Sequence, residues 1–353
     1  MREIEWAPLN VPLRRRLETL CAFGWMSLFL FGELWMLIYY FYLLIFGGLL
    51  AKTFCVIYGV FIYVDRKAGV NGGRGQGVKW FRNLYCWKLF QTYFPAKLHK
   101  TVDLPADRNY IFAAFPHGVL STGCFLSFAT DTTGFYNRFP GIRSRIVTLD
   151  FHLLVPVFRE LCFSWGVASC SQNGITHLLE SSNDPKHPAN SDGFTSNAVV
   201  LIVGGAAESL NCRPNNFQLV LKKRKGFCRI ALKTGTAIVP VINFGELDLF
   251  DQPANPPGSR LRRFQEWVKA TTGIAPAAFV GRGFFQYSYG LIPRRKPINT
   301  IIGAPLEVQK VDDPSQDEIE QLHQRFCNAL EELFEKHKSK YVKNHQNVKL
   351  KLE

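Results

Sequence analysis

Several familiar devices are missing from these 353 residues. Nine cysteines, at positions 21, 55, 86, 124, 162, 170, 212, 228 and 327, never form a Cys-x-x-Cys pair. None joins a histidine at zinc-ligand spacing either, so no metal site is expected. Asn-x-Ser/Thr acceptors are absent too. The scattered cysteines therefore read as reduced thiols facing a cytosol. The glycine run Gly72-Gly73-Arg74-Gly75-Gln76-Gly77 fits neither the dinucleotide nor the P-loop spacing and reads as a flexible linker. No Gly-x-Ser-x-Gly elbow occurs, which counts against a serine hydrolase even though Ser121 lies near His117. Acidic residues are scarce: 28 Asp and Glu face 42 Lys and Arg, a net charge of +14. That excess suits an anionic lipid surface, a phosphorylated ligand or nucleic acid.

What the chain does have is a long apolar block. From Leu20 to Val64 the only charges are Glu33 and Lys52. This is about twice the roughly 20 residues that cross a bilayer. The block predicts a transmembrane helical hairpin with spans near 20–41 and 43–64, turning around Tyr42 or a little later. One long span plus a re-entrant segment is the rival, favoured by Gly47, Gly48 and Lys52. Arg14, Arg15 and Arg16 precede the block and Asp65, Arg66 and Lys67 follow it. Positive charge at both outer ends places both termini on the cytosolic side. Glu33 is expected near a span's end, in water. A basic, aromatic stretch from Val78 to Pro95 follows, with Trp80, Leu84, Trp87 and Phe90 at helical spacing. It is expected to lie in the headgroup region, the alternative being an amphipathic helix packed on the domain. Nucleic acid is disfavoured as partner because it leaves the apolar block unexplained.

From about Leu98 short apolar strands alternate with helical stretches, which argues an α/β fold with a mostly parallel sheet covered by helices. Expected strands are Tyr110–Phe115, Arg145–Leu149, Ala198–Val203, Ala237–Asn243 and Thr300–Ile302. Expected helices are Val119–Phe128, Phe151–Phe163, Gly174–Glu180, Gly226–Thr234 and Ser315–Lys338. The polar stretch Ser181 to Ser196 reads as a surface loop. The chain thus divides into an N-terminal segment 1–19, a hairpin 20–64, a basic linker and aromatic helix 65–97, and a catalytic domain 98–353.

Two residues stand at strand ends, where reacting groups of α/β folds collect. Pro116 ends the first strand because it has no N–H for a ladder. His117 follows, and Gly118 puts no Cβ beside the imidazole. The plainer reading is a histidine filling a polar niche at a turn. Glu208 follows the buried strand Ala198–Val203 in Gly204-Gly205-Ala206-Ala207-Glu208-Ser209, whose small residues leave room for a substrate and expose amides. A carboxylate beside an imidazole fixes its tautomer and stabilises its charged form; a salt bridge to Arg213 is the alternative. The cluster Lys222-Lys223-Arg224-Lys225 opens a helix at Gly226, where cations oppose the helix dipole but suit a bound phosphate. A solvated basic face explains it equally well.

At these residues the chain resembles the diacylglycerol acyltransferase 2 family, which includes monoacylglycerol and wax-alcohol acyltransferases. Tyr93-Phe94-Pro95, Arg108-Asn109-Tyr110-Ile111 leading to Pro116-His117-Gly118, and Phe139-Pro140-Gly141-Ile142-Arg143 carry the likeness. So do Val203 to Ser209, Arg224-Lys225-Gly226-Phe227, Val239-Pro240, Phe244-Gly245-Glu246, Gly281-Arg282-Gly283, Gly290 to Pro293, Pro297-Ile298 and Gly303-Ala304-Pro305, in the family's order. The resemblance spans roughly residues 20 to 340. It implies acyl transfer from acyl-CoA, a co-substrate rather than a cofactor, to a lipid hydroxyl. Diacylglycerol is the first expectation; a monoacylglycerol or wax alcohol is the alternative. It also implies the endoplasmic reticulum membrane or lipid droplets, and leaves homo-oligomerisation open. Carried onto this chain, it makes His117 the base and Glu208 its carboxylate partner, with Pro116, Gly118, Gly204, Gly205, Arg224, Lys225 and Gly226 around the substrates. Two features depart from relatives. Phe115 stands where the family usually has its first motif histidine, and Thr122 excludes the His-x-x-x-x-Asp pair of glycerophosphate acyltransferases. An ester hydrolase and a non-enzymatic lipid-binding protein are the competing functions.

Overall fold

The computed structural model describes residues 3–273 and 275–353. Its strands, in chain order, are β1 (Lys97–Lys100), β2 (Tyr110–Phe115), β3 (Ile142–Thr148), β4 (Ala168–Ser169), β5 (Ser196–Ile202), β6 (Gln218–Leu219), β7 (Ala237–Phe244), β8 (Asn299–Ile302) and β9 (Lys351–Leu352). Seven form one sheet in the order β1-β8-β7-β2-β5-β3-β4, and β6 pairs with β9 in a small second sheet. Every pairing in the large sheet is parallel except β7 with β8. The continuous apolar runs of β2 and β7 fit this position, since a central strand of a parallel sheet is covered on both faces; both are buried along their whole length.

Alternation along β2 divides its side chains between two cores. Ile111, Ala113 and Phe115 join the larger one with Phe227, Ile230 and Ala231 of the Gly226–Thr234 helix and Phe326, Leu330 and Phe334 of the Gln316–Tyr341 helix. Tyr110, Phe112 and Ala114 face the other, with Cys124, Phe128, Phe135 and Phe139. The Gln316–Tyr341 helix begins in a capping box, in which the Ser315 hydroxyl accepts from Glu318 N and the Glu318 carboxylate accepts from Ser315 N.

The apolar block is two helices, but not the two expected. One runs unbroken from Leu13 to Phe46 and the other from Leu49 to Val64, so the break falls at Gly47–Gly48, a little later than Tyr42, and the first helix starts well before Leu20. Only the first is long and apolar enough to cross a membrane. The second, at 16 residues, reaches about 24 Å, short of the roughly 30 Å hydrocarbon core. The two helices touch where the Tyr40 hydroxyl donates to the Cys55 carbonyl at 2.8 Å and Gly59 leaves room for that ring. Glu33 is not free in water: its carboxylate meets His152 Nδ1 at 3.0 Å, which ties the helix to the domain.

Two further expectations change. The aromatic stretch does not lie free at an interface. Lys79–Arg82 and Tyr85–Tyr93 are short helices, and Trp87, Phe90 and Tyr93 are buried against Trp25 and Phe125. Arg82 is fully buried and donates to Trp165 O at 2.6 Å, Phe128 O at 2.9 Å and Asp131 at 3.0 Å. Of the stretch's aromatic residues only Trp80 and Tyr85 are exposed. The glycine run is likewise no loose linker, because the Arg145 guanidinium binds the Gly72 carbonyl and the Gly77 backbone lies against Ser164.

Candidate active site

Three neighbouring strands, β5, β2 and β7, end together. Ala114 stands beside Ile202 of β5 and Phe115 beside Ile242 of β7. The segments leaving those ends are Pro116-His117-Gly118, Gly204 to Ser209 and Gly245-Glu246, and they converge on one spot.

His117 is half-buried, and burial pushes its pKa below the ordinary 6.5. It is therefore neutral at physiological pH. Its Nδ1 lies 3.1 Å from the Gly118 carbonyl. Donation from Nδ1–H fixes the tautomer and leaves the Nε2 lone pair to accept a proton. Gly118 adopts φ of 64°, and a Cβ there would sit 2.6 Å from the Glu246 side chain. Both the dihedral and the contact require glycine.

Glu208 reaches this stretch, but not through the imidazole. One carboxylate oxygen accepts from the His117 backbone N–H at 2.8 Å and the other from Val220 N–H at 2.9 Å. Glu208 thus holds the loop that carries His117, and the tautomer-fixing role expected of it falls to the Gly118 carbonyl. Burial raises its pKa to about 7 against those two bonds, while the Arg224 charge acts the other way. Gly204 is needed because the Glu208 carboxyl packs where its Cβ would be. The Gly205 N–H, one of the amides expected to be exposed, is engaged with the Ile202 carbonyl at 3.2 Å.

A second buried carboxylate escaped the sequence reading. Glu246 accepts from Thr122 N at 2.9 Å and Gly123 N at 2.7 Å, and burial raises its pKa also to about 7. The signal was present: Glu246 follows a buried strand through a glycine, as Glu208 does. The two carboxylates clamp the His117–Gly123 turn from opposite neighbouring strands. Ser121 completes the turn, its hydroxyl donating to the His117 carbonyl at 3.0 Å. That hydroxyl is turned away from the ring, so it is no imidazole-activated nucleophile.

Phe115 is fully buried and packs against Phe326 at 6.2 Å between ring centroids. Its side chain belongs to the core face of β2, packed on the Gln316–Tyr341 helix. In the basic cluster Lys222, Lys223 and Arg224 are exposed, while Lys225 is paired with Glu320. Gly226 begins the helix behind them in open space.

The family model for diacylglycerol acyltransferase matches residues 43–353. The chain belongs to that family. It is 40% identical over 345 residues to the bovine (Bos taurus) 2-acylglycerol O-acyltransferase 1, covering 96% of each chain. It is 39% identical to diacylglycerol O-acyltransferase 2A of Umbelopsis ramanniana, covering 96% of this chain and 91% of that one. The human (Homo sapiens) 2-acylglycerol O-acyltransferase 1 is 37% identical, over 99% of this chain and all of its own length. The solved 1-acyl-sn-glycerophosphate acyltransferase PlsC of Thermotoga maritima aligns with 91% of this chain and 97% of its own at 12% identity and a TM-score of 0.39, too loose a likeness to bear on the argument. As a member of the family this acyltransferase esterifies a lipid hydroxyl.

Proposed function

We propose that the chain transfers an acyl group from acyl-CoA to diacylglycerol, with His117 as general base. The observation that carries this is the imidazole at the meeting of three strand ends, with Nδ1 held by the Gly118 carbonyl so that the Nε2 lone pair is left to accept a proton, and with burial favouring the neutral ring. Nε2 accepts the proton of the acceptor hydroxyl as its oxygen attacks the thioester carbonyl. The tetrahedral intermediate collapses, the C–S bond breaks, and the imidazolium returns the proton to the leaving thiolate. A positioned base of this kind contributes roughly 10²–10⁴ in rate. Glu208 and Glu246 act through the backbone, holding the turn so that the ring does not swing away.

Monoacylglycerol is the second acceptor reading, and relatives named 2-acylglycerol O-acyltransferase at 37–40% identity favour it specifically. Work at the endoplasmic reticulum membrane or on lipid droplets fits the apolar rod of residues 28–64, whose side chains Leu49 and Leu50 are more than four-fifths exposed.

The test is acyl-CoA-dependent ester formation in membranes with diacylglycerol and with monoacylglycerol, normalised to protein level. His117→Ala is expected to lower turnover by at least about 10². Near-normal activity at matched expression removes His117 from the chemistry.

A further inference from the structure

A cavity of about 650 Å³ lies between the start of the Leu13–Phe46 helix and the 282–296 segment. Five cations line it: Arg15, Arg282, Arg294, Arg295 and Lys296. Arg294 is paired with Asp251 at 2.6 Å and Arg295 with Glu18 at 2.5 Å. Among the described residues no carboxylate is in ion-pair contact with Arg15, Arg282 or Lys296, although Glu18 acts on Arg15 and Asp248 on Lys296 from farther away. The Nε of Arg294 is buried and makes no hydrogen bond. The Arg282 guanidinium lies over the Tyr287 ring at 4.2 Å, where it is held without being neutralised.

The cavity belongs to the same end of the sheet as His117. Arg294 N donates to the Leu249 carbonyl just beyond β7 at 2.8 Å. Pro297, next to Lys296, lies against Gly245, and Glu246 lies against Gly118. A volume of this size holds a small ligand, for which roughly 300–1,000 Å³ is usual. Clustered arginines select phosphate, which they grip with paired donors.

Two acidic residues also line it, Glu3 and Glu5. They arrive on an N-terminal strap that pairs with the 285–288 segment. Ala7 N donates to Phe285 O at 2.8 Å, Tyr287 N to Glu5 O at 2.8 Å, and Glu5 N to the Ser288 hydroxyl at 2.9 Å. The strap brings negative charge to the place where a phosphate would bind.

We propose that this cavity, rather than the exposed Lys222–Lys225 turn, takes the phosphates of the acyl donor, the diphosphate and 3′-phosphate of its nucleotide, and that Glu3 and Glu5 weaken that binding. The inference rests on the reading of acyl-CoA as donor. Its test uses the full chain in detergent, with adenosine 3′,5′-bisphosphate as binding probe and acyl-CoA as kinetic substrate. Arg282→Gln and Lys296→Gln are expected to weaken probe binding and to raise the KM for acyl-CoA by about tenfold each, the scale of one lost charged hydrogen bond. The KM for the lipid acceptor stays put. Glu3→Gln with Glu5→Gln moves both quantities the opposite way, a gain that misfolding does not produce. Unmoved probe binding and acyl-CoA KM in both sets overturn the proposal. So does a response only to phosphatidic acid in mixed vesicles, which would assign the cavity to a lipid headgroup. Probe binding that follows these charges in a protein without acyl-CoA turnover would instead fault the proposed reaction and leave the phosphate site standing.

Discussion

His117 and the two buried glutamates make separable predictions, because they touch different atoms. If the Gly118 carbonyl fixes the imidazole, Glu208→Gln leaves the ring's protonation alone. The amide has one acceptor oxygen for two N–H groups that now bind two carboxylate oxygens, so one buried donor loses its partner. Turnover is expected to fall roughly tenfold or more, while the acid limb of the kcat–pH profile keeps its position. A profile shifted in Glu208→Gln would return the carboxylate to the ring. In the wild type that limb should lie below 6.5, since burial holds the His117 pKa down and the base works only when neutral. Glu246 makes a prediction about stability. Its folded pKa is raised from 4.5 to about 7, so the folded state binds more protons than the unfolded one between those values. Its contribution is fully present below pH 4.5 and is lost as pH rises through about 7. Glu246→Gln is expected to flatten the fall in Tm over that window, as measured by thermal unfolding across a pH series. An unchanged slope would mean that the carboxylate is ionised throughout.

At the scale of elements, the sheet was readable and its edges were not. β2, β5 and β7 announced themselves as apolar runs, and the Gly226–Thr234 helix matches its expected bounds. β1, β4, β6 and β9 are two to four residues long and carry polar residues, so nothing in their composition separates them from loop. The Arg260–Thr272 helix was missed because its face is largely charged. Trp87 and Phe90 were given to the membrane because a helix's apolar stripe does not say what covers it; Trp25, 60 or more residues away, does. His117 and Glu208 were legible from strand ends and small residues, but the atom each one binds depends on a turn whose dihedrals the sequence does not display. The least conspicuous element has the most direct consequence. β9 pairs with β6, and the Glu353 backbone oxygen accepts from Leu221 N and Lys222 N at 2.7 Å each. Between β6 and Leu221 lies Val220, whose N–H holds Glu208. Deleting residues 351–353 is expected to lower turnover about as much as Glu208→Gln, with the cooperative unfolding of the core preserved. Full activity after the deletion would show that the 218–222 segment holds its place unaided.

At the scale of the whole molecule, the two N-terminal apolar helices are moored to the domain at their far ends. The first helix buries Glu18, Thr19, Ala22, Trp25 and Met26 against it before its apolar remainder leaves the surface. Phe29, Glu33 and Met36 still touch the domain, and from Leu37 to Phe46 the free remainder extends about 15 Å. The second helix returns to Asp65, which Arg159 grips at 2.6 Å. The tip at Gly47–Gly48 is thus the part farthest from the anchoring contacts. Exposed Lys52 stands just past it, where its long side chain reaches polar headgroups more readily than it would from mid-membrane. By the charge rule for membrane helices, Arg14, Arg15 and Arg16 at one end and Arg66 and Lys67 at the other are expected to keep the moored side cytosolic. The strap of residues 3–7 lies on the same domain, so the N-terminal segment and the active site face one compartment. In sealed microsomes, tags on both termini are expected to be digested by added protease while the membrane stays intact. Protection of either tag until detergent is added would place the domain and the strap on opposite sides, and the cavity they share would then have to form in some other way.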